Sequence, residues 1–255
     1  MLNKKIKTII ISSSLAITLS IGSYYTFNAF INNAENDKDN VSIIVSKDFP
    51  LTSDLNKMAD ESDIIVIGEY ESFDSKWNMA RNPDNPTLED ADNYVEGHLY
   101  NFNVSEVVKG SSDINSIKVN HRFAETIKIE DSNELTDSYG IIKKEATKTT
   151  SKNVENIDPL YIKPTTGEKY MLFLKKDQLF ENYYGAIEPF SIVFDENDLA
   201  ELQTNIADIN EDSLSSKVNI NDKTFLVKNE IYETINDNIS GMNLNDLINR
   251  IKTNN

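Results

Sequence analysis

The feature that most constrains the fold is a continuous apolar run at residues 64–67, which changes to alternating polarity beyond Gly68. Such a run is typical of a β-strand that is buried on both faces at first and on one face later. A glycine at the change of pattern indicates a bulge or a bend. The sequence therefore predicts a mainly β fold in which residues 63–70 form the strongest strand.

Shorter segments of the same kind follow along the chain. Further strands are expected at residues 41–46, 98–108, 114–123, 170–174, 185–194, 218–220 and 225–227. Asn221 and Asp222 separate the last two segments, as in a hairpin. The sequence shows no internal repeat of fixed period, so a solenoid or a propeller is not favoured.

Two helices are expected at the borders of the globular part. The first spans about residues 53–62 and is capped by Thr52 or Ser53. The second begins at Asn243, and its apolar face consists of Leu244, Leu247, Ile248 and Ile251. The predicted class is therefore α+β with a dominant β part, a leading helix and a C-terminal helix.

The first 31 residues predict export or membrane insertion. A lysine-rich N-terminus precedes residues 8–31, which carry no charge, and an acidic, amide-rich linker follows at residues 32–40. This order keeps the N-terminus in the cytoplasm and the rest of the chain outside it. An uncleaved hydrophobic helix is favoured because the uncharged segment is long enough to span a bilayer. Small residues at Ser20 and Gly22 leave a cleaved signal peptide, and hence a secreted protein, as the alternative.

The rest of the chain divides into a domain over residues 41–200 and a C-terminal hairpin and helix over residues 201–255. Two polar segments interrupt the domain. Residues 74–96 form a loop that carries the only tryptophan, Trp77. Residues 130–159 are charged, rich in Thr and Lys and nearly free of aromatic residues, so a mobile insertion is expected there.

Three segments resemble the OB-barrel modules of netrins and of tissue inhibitors of metalloproteinases (TIMP-like), which also recur in surface proteins of Gram-positive bacteria. They are SDIIVIGEY at residues 62–70, YNFNVSEVVKG at residues 100–110 and GEKYMLFL at residues 167–174. The resemblance implies a small antiparallel OB-like barrel whose closure protects the sheet edges. In that family an N-terminal cysteine chelates the metal of the target protease, and this chain has no cysteine. The resemblance therefore extends to the fold and not to the inhibition.

Composition excludes several function classes. The formal net charge of -17 repels phosphate backbones, so nucleic acid is not expected as a partner. Without cysteine there is no disulfide framework, no thiolate zinc site and no cysteine nucleophile. The sequence contains no glycine-rich phosphate loop and no Gly-x-Ser-x-Gly elbow, so neither a cofactor nor an enzyme activity is predicted.

The two histidines are the first candidate metal ligands. His98 and His121 lie on neighbouring predicted strands, where a carboxylate such as Glu96 or Glu125 can complete a ligand set. Their spacing matches no known ligand pattern. The favoured interpretation is that both are ordinary strand residues and that no metal is bound.

A weak calcium candidate lies near the C-terminal hairpin. Asp208, Asn210 and Asp212 occupy the first, third and fifth positions of a calcium loop. Ser213 and Asn219 stand where such a loop has its glycine and its bidentate glutamate. An acidic, solvated turn is therefore favoured.

The aromatic residues are the remaining indication of a ligand face. Trp77, Tyr183 and Tyr184, with Phe180 and Phe190 nearby in sequence, can form such a face because aromatic anchors dominate many interfaces. The favoured interpretation is that most of them fill the core and that Trp77 folds back over an end of the barrel.

The predicted function is a binding module that is anchored in the membrane by its N-terminal helix and meets a protein or cell-wall partner outside the cytoplasm. Two alternatives remain open. One is a secreted enzyme, such as a metal-dependent hydrolase, and the other is a module that resembles a protease inhibitor.

Overall fold

A computed structural model describes residues 8–13, 41–47, 50–111, 113–132, 135–136, 142–144, 149–206, 214–221, 223–231 and 234–254. The prediction of a mainly β chain is confirmed. The described residues form fourteen strands and two helices: β1 (Thr8–Ser13), β2 (Val41–Lys47), α1 (Leu55–Glu61), β3 (Ile64–Asn78), β4 (Val95–Lys109), β5 (Ser116–Ser132), β6 (Leu135–Thr136), β7 (Ile142–Lys144), β8 (Thr149–Ile157), β9 (Lys169–Lys176), β10 (Tyr183–Gly185), β11 (Ser191–Phe194), β12 (Ala200–Leu202), β13 (Ser215–Ile220), β14 (Lys223–Glu230) and α2 (Leu244–Asn254).

Five strands join into a ring. The strands β3, β4 and β5 form an antiparallel meander, and β9 pairs antiparallel with the other edge of β3. The short strand β10 closes the ring because it pairs in parallel with β5 and antiparallel with β9. The strands β11 and β12 extend the sheet beyond β9.

Gly68 marks a close approach within this ring. The pairing of β3 with β4 shifts in register between Ile67 and Gly68, which confirms the predicted irregularity. A Cβ atom at Gly68 would overlap the backbone oxygen of Asn103. Only glycine allows the two strands to come this close.

The main core fills the ring and extends under both helices. Its fully buried side chains include Tyr70, Phe102 and Phe173. The helix α1 contributes Leu55, Met58 and Ala59, and α2 contributes Leu247 and Ile251, as the sequence predicts. The cap of α1 is Asp54, whose carboxylate accepts from the backbone N–H of Asn56, and not the predicted Thr52 or Ser53.

A second, smaller core lies outside the ring. The strand β5 continues beyond its pairing with β4 and forms a two-stranded ribbon with β8. The ribbon packs against the sheet of order β1-β2-β14-β13 through a cluster of Ile43, Val45, Ile129, Val218, Ile220, Phe225 and Val227. The predicted insertion at 130–159 thus contains the regular strand β8. That the insertion is mobile stays a prediction.

The predicted N-terminal helix is only partly covered by the described residues. The described part, Thr8–Ser13, is a strand that pairs in parallel with β2. Its run of Thr and Ile residues is β-branched, which suits a pleated strand. Residues 14–31 and the linker at 32–40 lie outside the described residues. Neither of the helices described is long and apolar enough to cross a membrane.

Candidate functional site

Trp77 lies near the end of β3 on the outer face of the ring. It pairs with Gly97 of β4, whose neighbours Glu96 and His98 point to the opposite, inner face. A Cβ atom at Gly97 would come closer than 3.0 Å to Nε1 of Trp77. The indole N–H donates to Oδ1 of Asn120 on β5 at 2.9 Å. The indole therefore crosses three strands, and glycine at position 97 leaves the room for it.

Arg81 links this tryptophan to a second loop. Its guanidinium carbon lies 4.7 Å from the centroid of the Trp77 ring and 4.8 Å from that of Phe180. The two rings contact each other edge to face at 5.1 Å. The loop at 79–94, which joins β3 to β4, thus meets the loop at 177–182, which joins β9 to β10. We refer to Trp77, Arg81 and Phe180 as the arginine sandwich.

Amide and carboxylate side chains hold the two loops in shape. Oδ1 of Asn78 accepts from the backbone N–H groups of Ala80 and Val95 at 2.9 and 3.0 Å. Oδ1 of Asp177 accepts from the N–H groups of Leu179 and Phe180 at 2.8 and 3.1 Å. Side chains of this kind stabilise turns by replacing backbone partners. The arginine sandwich is therefore supported by loops with internal hydrogen bonds.

Two buried polar atoms at this place have no hydrogen-bond partner among the described residues. They are Nη2 of Arg81 and Oδ1 of Asn182. Nε of Arg81 donates to the Met79 carbonyl at 3.2 Å. Burial lowers the pKa of Arg81, and the charges of Glu89 and Asp177 oppose this shift. An unpartnered buried donor costs about 1–3 kcal/mol, and an ordered water or a bound group that accepts from it removes this cost.

The two loops of the arginine sandwich also carry exposed apolar and acidic side chains. Leu88 is 56% exposed in the first loop and Leu179 is 46% exposed in the second. The same loops carry the acidic residues Asp84, Glu89, Asp90, Asp92, Asp177 and Glu181. Several of these carboxylates stabilise turns, as Asp90 does by accepting from the N–H groups of Asp92 and Asn93 at 2.8 and 3.1 Å.

The predicted ligand face is partly assembled. In β10, Tyr184 lies opposite Asn120, so it belongs to the same outer face as Trp77. Tyr183 lies opposite the fully buried Val119 and packs against the main core. Phe190 is part of that core. Sequence analysis could not select Arg81 or Asn182, because a single arginine or asparagine in a loop forms no pattern.

The two histidines lie directly opposite each other on β4 and β5 and point into the ring. Nε2 of His98 lies 2.7 Å from Oε1 of Glu96, and Nδ1 lies 3.1 Å from the Tyr161 hydroxyl. Nε2 of His121 lies 2.9 Å from the Tyr70 hydroxyl. Burial, followed by the charge of His98, lowers the pKa of His121 to about 3, which keeps this ring neutral.

These contacts give the histidines structural partners. Glu96, one of the two carboxylates weighed as a third ligand, bonds His98, whereas Glu125 pairs with Arg122 at 2.7 Å. In the described part of the chain, no three His, Asp or Glu side chains are placed to hold a metal ion. The calcium candidate Asp208, Asn210 and Asp212 lies outside the described residues.

Comparison with known proteins adds no relative from which a function could be transferred. No protein-family model matches the chain, and no curated protein and no solved structure is significantly similar to it. The proposal for its function therefore depends on the geometry of the arginine sandwich.

Proposed function

We propose that the chain is a binding module outside the cytoplasm that receives a protein or cell-wall partner at the arginine sandwich. One observation carries the proposal. The guanidinium carbon of Arg81 lies 4.7 Å from the ring centroid of Trp77 and 4.8 Å from that of Phe180, and its buried Nη2 has no partner within the described residues.

The proposal includes an OB-like barrel. Support comes from the order of the ring, in which the meander β3-β4-β5 is closed by β10 and β9 with one parallel pair. OB-folds are five-stranded barrels that bind ligands on the face of their second and third strands and on the loops after their first and fourth strands. The corresponding parts of this ring are β4, β5 and the loops at 79–94 and 177–182. The arginine sandwich lies where these parts meet.

The chemistry of the arginine sandwich suits a binding face. Tryptophan, tyrosine and arginine dominate the binding energy of protein interfaces, because they combine a large apolar surface with a polar group. Stacking on two rings fixes the guanidinium of Arg81, so little conformational entropy is lost when it donates to a ligand. The exposed Leu88 and Leu179 add apolar surface on the same two loops.

The single tryptophan provides a direct test of the site. Peptidoglycan fragments and a peptide panel are titrated into the protein while the emission of Trp77 is recorded. We expect a ligand to shift this emission, and Arg81→Gln or Phe180→Ala to weaken its binding about tenfold or more. Leu199→Ala, at an exposed leucine away from the loops, is the matched control. A ligand that binds without changing the emission, and equally well to all variants, would contradict the proposal.

The proposed location follows from the lysine-rich start and the uncharged residues 8–31. Membrane fractionation, protease accessibility on intact cells and the N-terminal sequence of the mature chain test it. An intact Met1 with a digestible globular part supports a membrane anchor. A mature chain that starts near Ser23 in the medium supports secretion, and a cytoplasmic protein contradicts both.

A further inference from the structure

A second polar group of side chains lies on the inner face of β3 and β4, opposite the arginine sandwich. Lys76 pairs with His98 across the two strands, and its ammonium nitrogen lies 2.6 Å from Oε1 of Glu96. The same nitrogen lies 5.6 Å from the centroid of the Phe123 ring. A carboxylate and an aromatic face thus hold an ammonium group between them.

The acceptor side of this contact is rigid. The Glu96 side chain is only 10% exposed, and Nε2 of His98 lies 2.7 Å from the same oxygen that meets Lys76. The His98 ring stacks on Phe123 with centroids 4.1 Å apart and an angle of 12°. Tyr161 fixes the other nitrogen of His98. Glu96 and Phe123 are therefore positioned by their neighbours and do not depend on Lys76 for their orientation.

The donor side is loosely held. The Lys76 side chain is 56% exposed. Ion pairs with an exposed lysine contribute little to the stability of a fold, and an ordered lysine side chain loses rotamer entropy. A second ammonium group can therefore replace Lys76 at little cost. The net charge of -17 also attracts cations to the surface.

We propose that Glu96 and Phe123 form a receptor for the lysine side chain of a partner polypeptide, and that Lys76 occupies this receptor until the partner arrives. The carboxylate binds the ammonium head, and the ring of Phe123 faces the cation. Phe73, which contacts His98 and is 47% exposed, provides an apolar surface beside them for the partner's alkyl chain. This site faces away from Trp77, so it does not depend on the function proposed above.

Lys76→Met tests the proposal because it keeps the length and apolar character of the stem while it removes the competing charge. The probe is the blocked tripeptide Gly-Lys-Gly, and the same peptide with norleucine in place of lysine is the neutral control. NMR shifts of the His98 ring report occupancy of the site. We expect the lysine peptide to bind Lys76→Met at least tenfold more tightly than the wild type, and the norleucine peptide to gain nothing.

Three further variants make the result specific. Lys118→Met is the matched control, because Lys118 is an exposed lysine that pairs with Asp74 at 2.9 Å. It should create no affinity. When Glu96→Gln is added to Lys76→Met, the gain in affinity for the lysine peptide should disappear. When Phe123→Leu is added instead, the gain should be smaller. Unfolding curves verify that each variant folds, and if Glu96→Gln does not fold, the Phe123→Leu variant and the norleucine peptide decide. Equal binding of both peptides, or no gain in Lys76→Met, would overturn the proposal.

Discussion

The inner and outer faces of the ring differ in how completely their buried polar groups are hydrogen-bonded. Inside, the Tyr70 hydroxyl meets His121, and the Tyr100 hydroxyl lies 2.9 Å from that of Tyr161. Outside, at the end of the same strands, Nη2 of Arg81 and Oδ1 of Asn182 have no partner within the described residues. Buried polar groups that are fully paired specify a fold, whereas unpaired ones lower its stability. If the proposed binding function is correct, this difference separates residues that shape the ring from residues that are available to a ligand.

The largest expected effect is the pH dependence that arises from His121. Its pKa is about 3 in the folded chain, against 6.5 ordinarily, because of burial and then the charge of His98. The unfolded chain therefore binds more protons between these pH values, and acidification destabilises the folded state by about 1.4 kcal/mol per pH unit. His121→Gln should remove this dependence. Urea unfolding should show its stability relative to the wild type rising by about 2 kcal/mol from pH 6.5 to pH 5.

The ionisation of Glu188 changes the stability of the fold with pH in the direction opposite to that of His121. Burial, followed by the charge of Asp158, raises its pKa to about 8 from 4.5. The folded chain keeps a proton that the unfolded chain loses, so stability falls as the pH rises from 4.5 to 8. The two slopes oppose each other in the wild type between pH 4.5 and 6.5. Glu188→Gln should therefore make the protein more sensitive to acid in this range, and an unchanged urea profile would contradict the assignment.

Gly97→Ala should have the next largest effect, on the outer face. The added methyl group would lie closer than 3.0 Å to side-chain atoms of Trp77, Met79 and Asn120. Overpacking of this kind costs about 1–3 kcal/mol. Because the obstructing atoms belong to side chains, we expect the protein to fold with a displaced indole. A shifted Trp77 emission together with a lower unfolding midpoint would establish this, and an unchanged emission would show that the indole does not rest on Gly97.

Tyr70→Phe tests the inner face with a smaller change. It removes the hydroxyl that lies 2.9 Å from Nε2 of His121 and leaves the ring packing in place. The loss of a buried hydrogen bond should destabilise the fold by about 1–2 kcal/mol. Urea unfolding at pH 7 measures this loss. If the variant is as stable as the wild type, this inner hydrogen bond does not stabilise the ring.

Arg81→Met should change stability least, by less than about 0.5 kcal/mol. Methionine retains an apolar side chain beside the two rings and removes a buried donor that has no partner in the described structure. Residues selected for binding commonly contribute little to stability. The thermal midpoint should therefore stay near that of the wild type. A loss above about 1 kcal/mol would mean that the arginine sandwich belongs to the structural residues.

Much of the fold could be predicted because its central strands alternate clearly. The alternation of His98, Tyr100 and Phe102 on β4 and the apolar β9 correspond to strands of the ring. The ribbon of β5 and β8 could not be predicted in the same way. The segment of β8 is polar because only a few of its side chains, such as Val154, face the second core. Composition therefore indicates exposure of one face and not the absence of a strand.

The candidate site could be predicted only through its aromatic members. A tryptophan in a polar segment is unusual enough to attract attention, although the loop predicted for Trp77 is wrong because β3 continues to Asn78. Phe180 meets Trp77 only because the loop at 177–182 reaches the end of β3. Arg81 and Asn182 are recognisable only because each has a buried atom without a hydrogen-bond partner in the described structure. A sequence does not show this. The contact of Lys76 with Glu96 likewise depends on the register of β3 and β4.

The closure of the ring by β10 is very short. Only Tyr183–Gly185 joins the edges of β5 and β9, and we refer to this junction as the seam. It is the part of the ring that we expect to open most easily. Its amide protons should exchange with solvent sooner than those of β3 or β4, because local opening needs few broken bonds there. The loop that carries Phe180 enters the seam directly, and Asn120, which accepts from the indole of Trp77, lies along it. A ligand that binds to both loops would therefore hold the edges of β5 and β9 together and slow local opening of the ring.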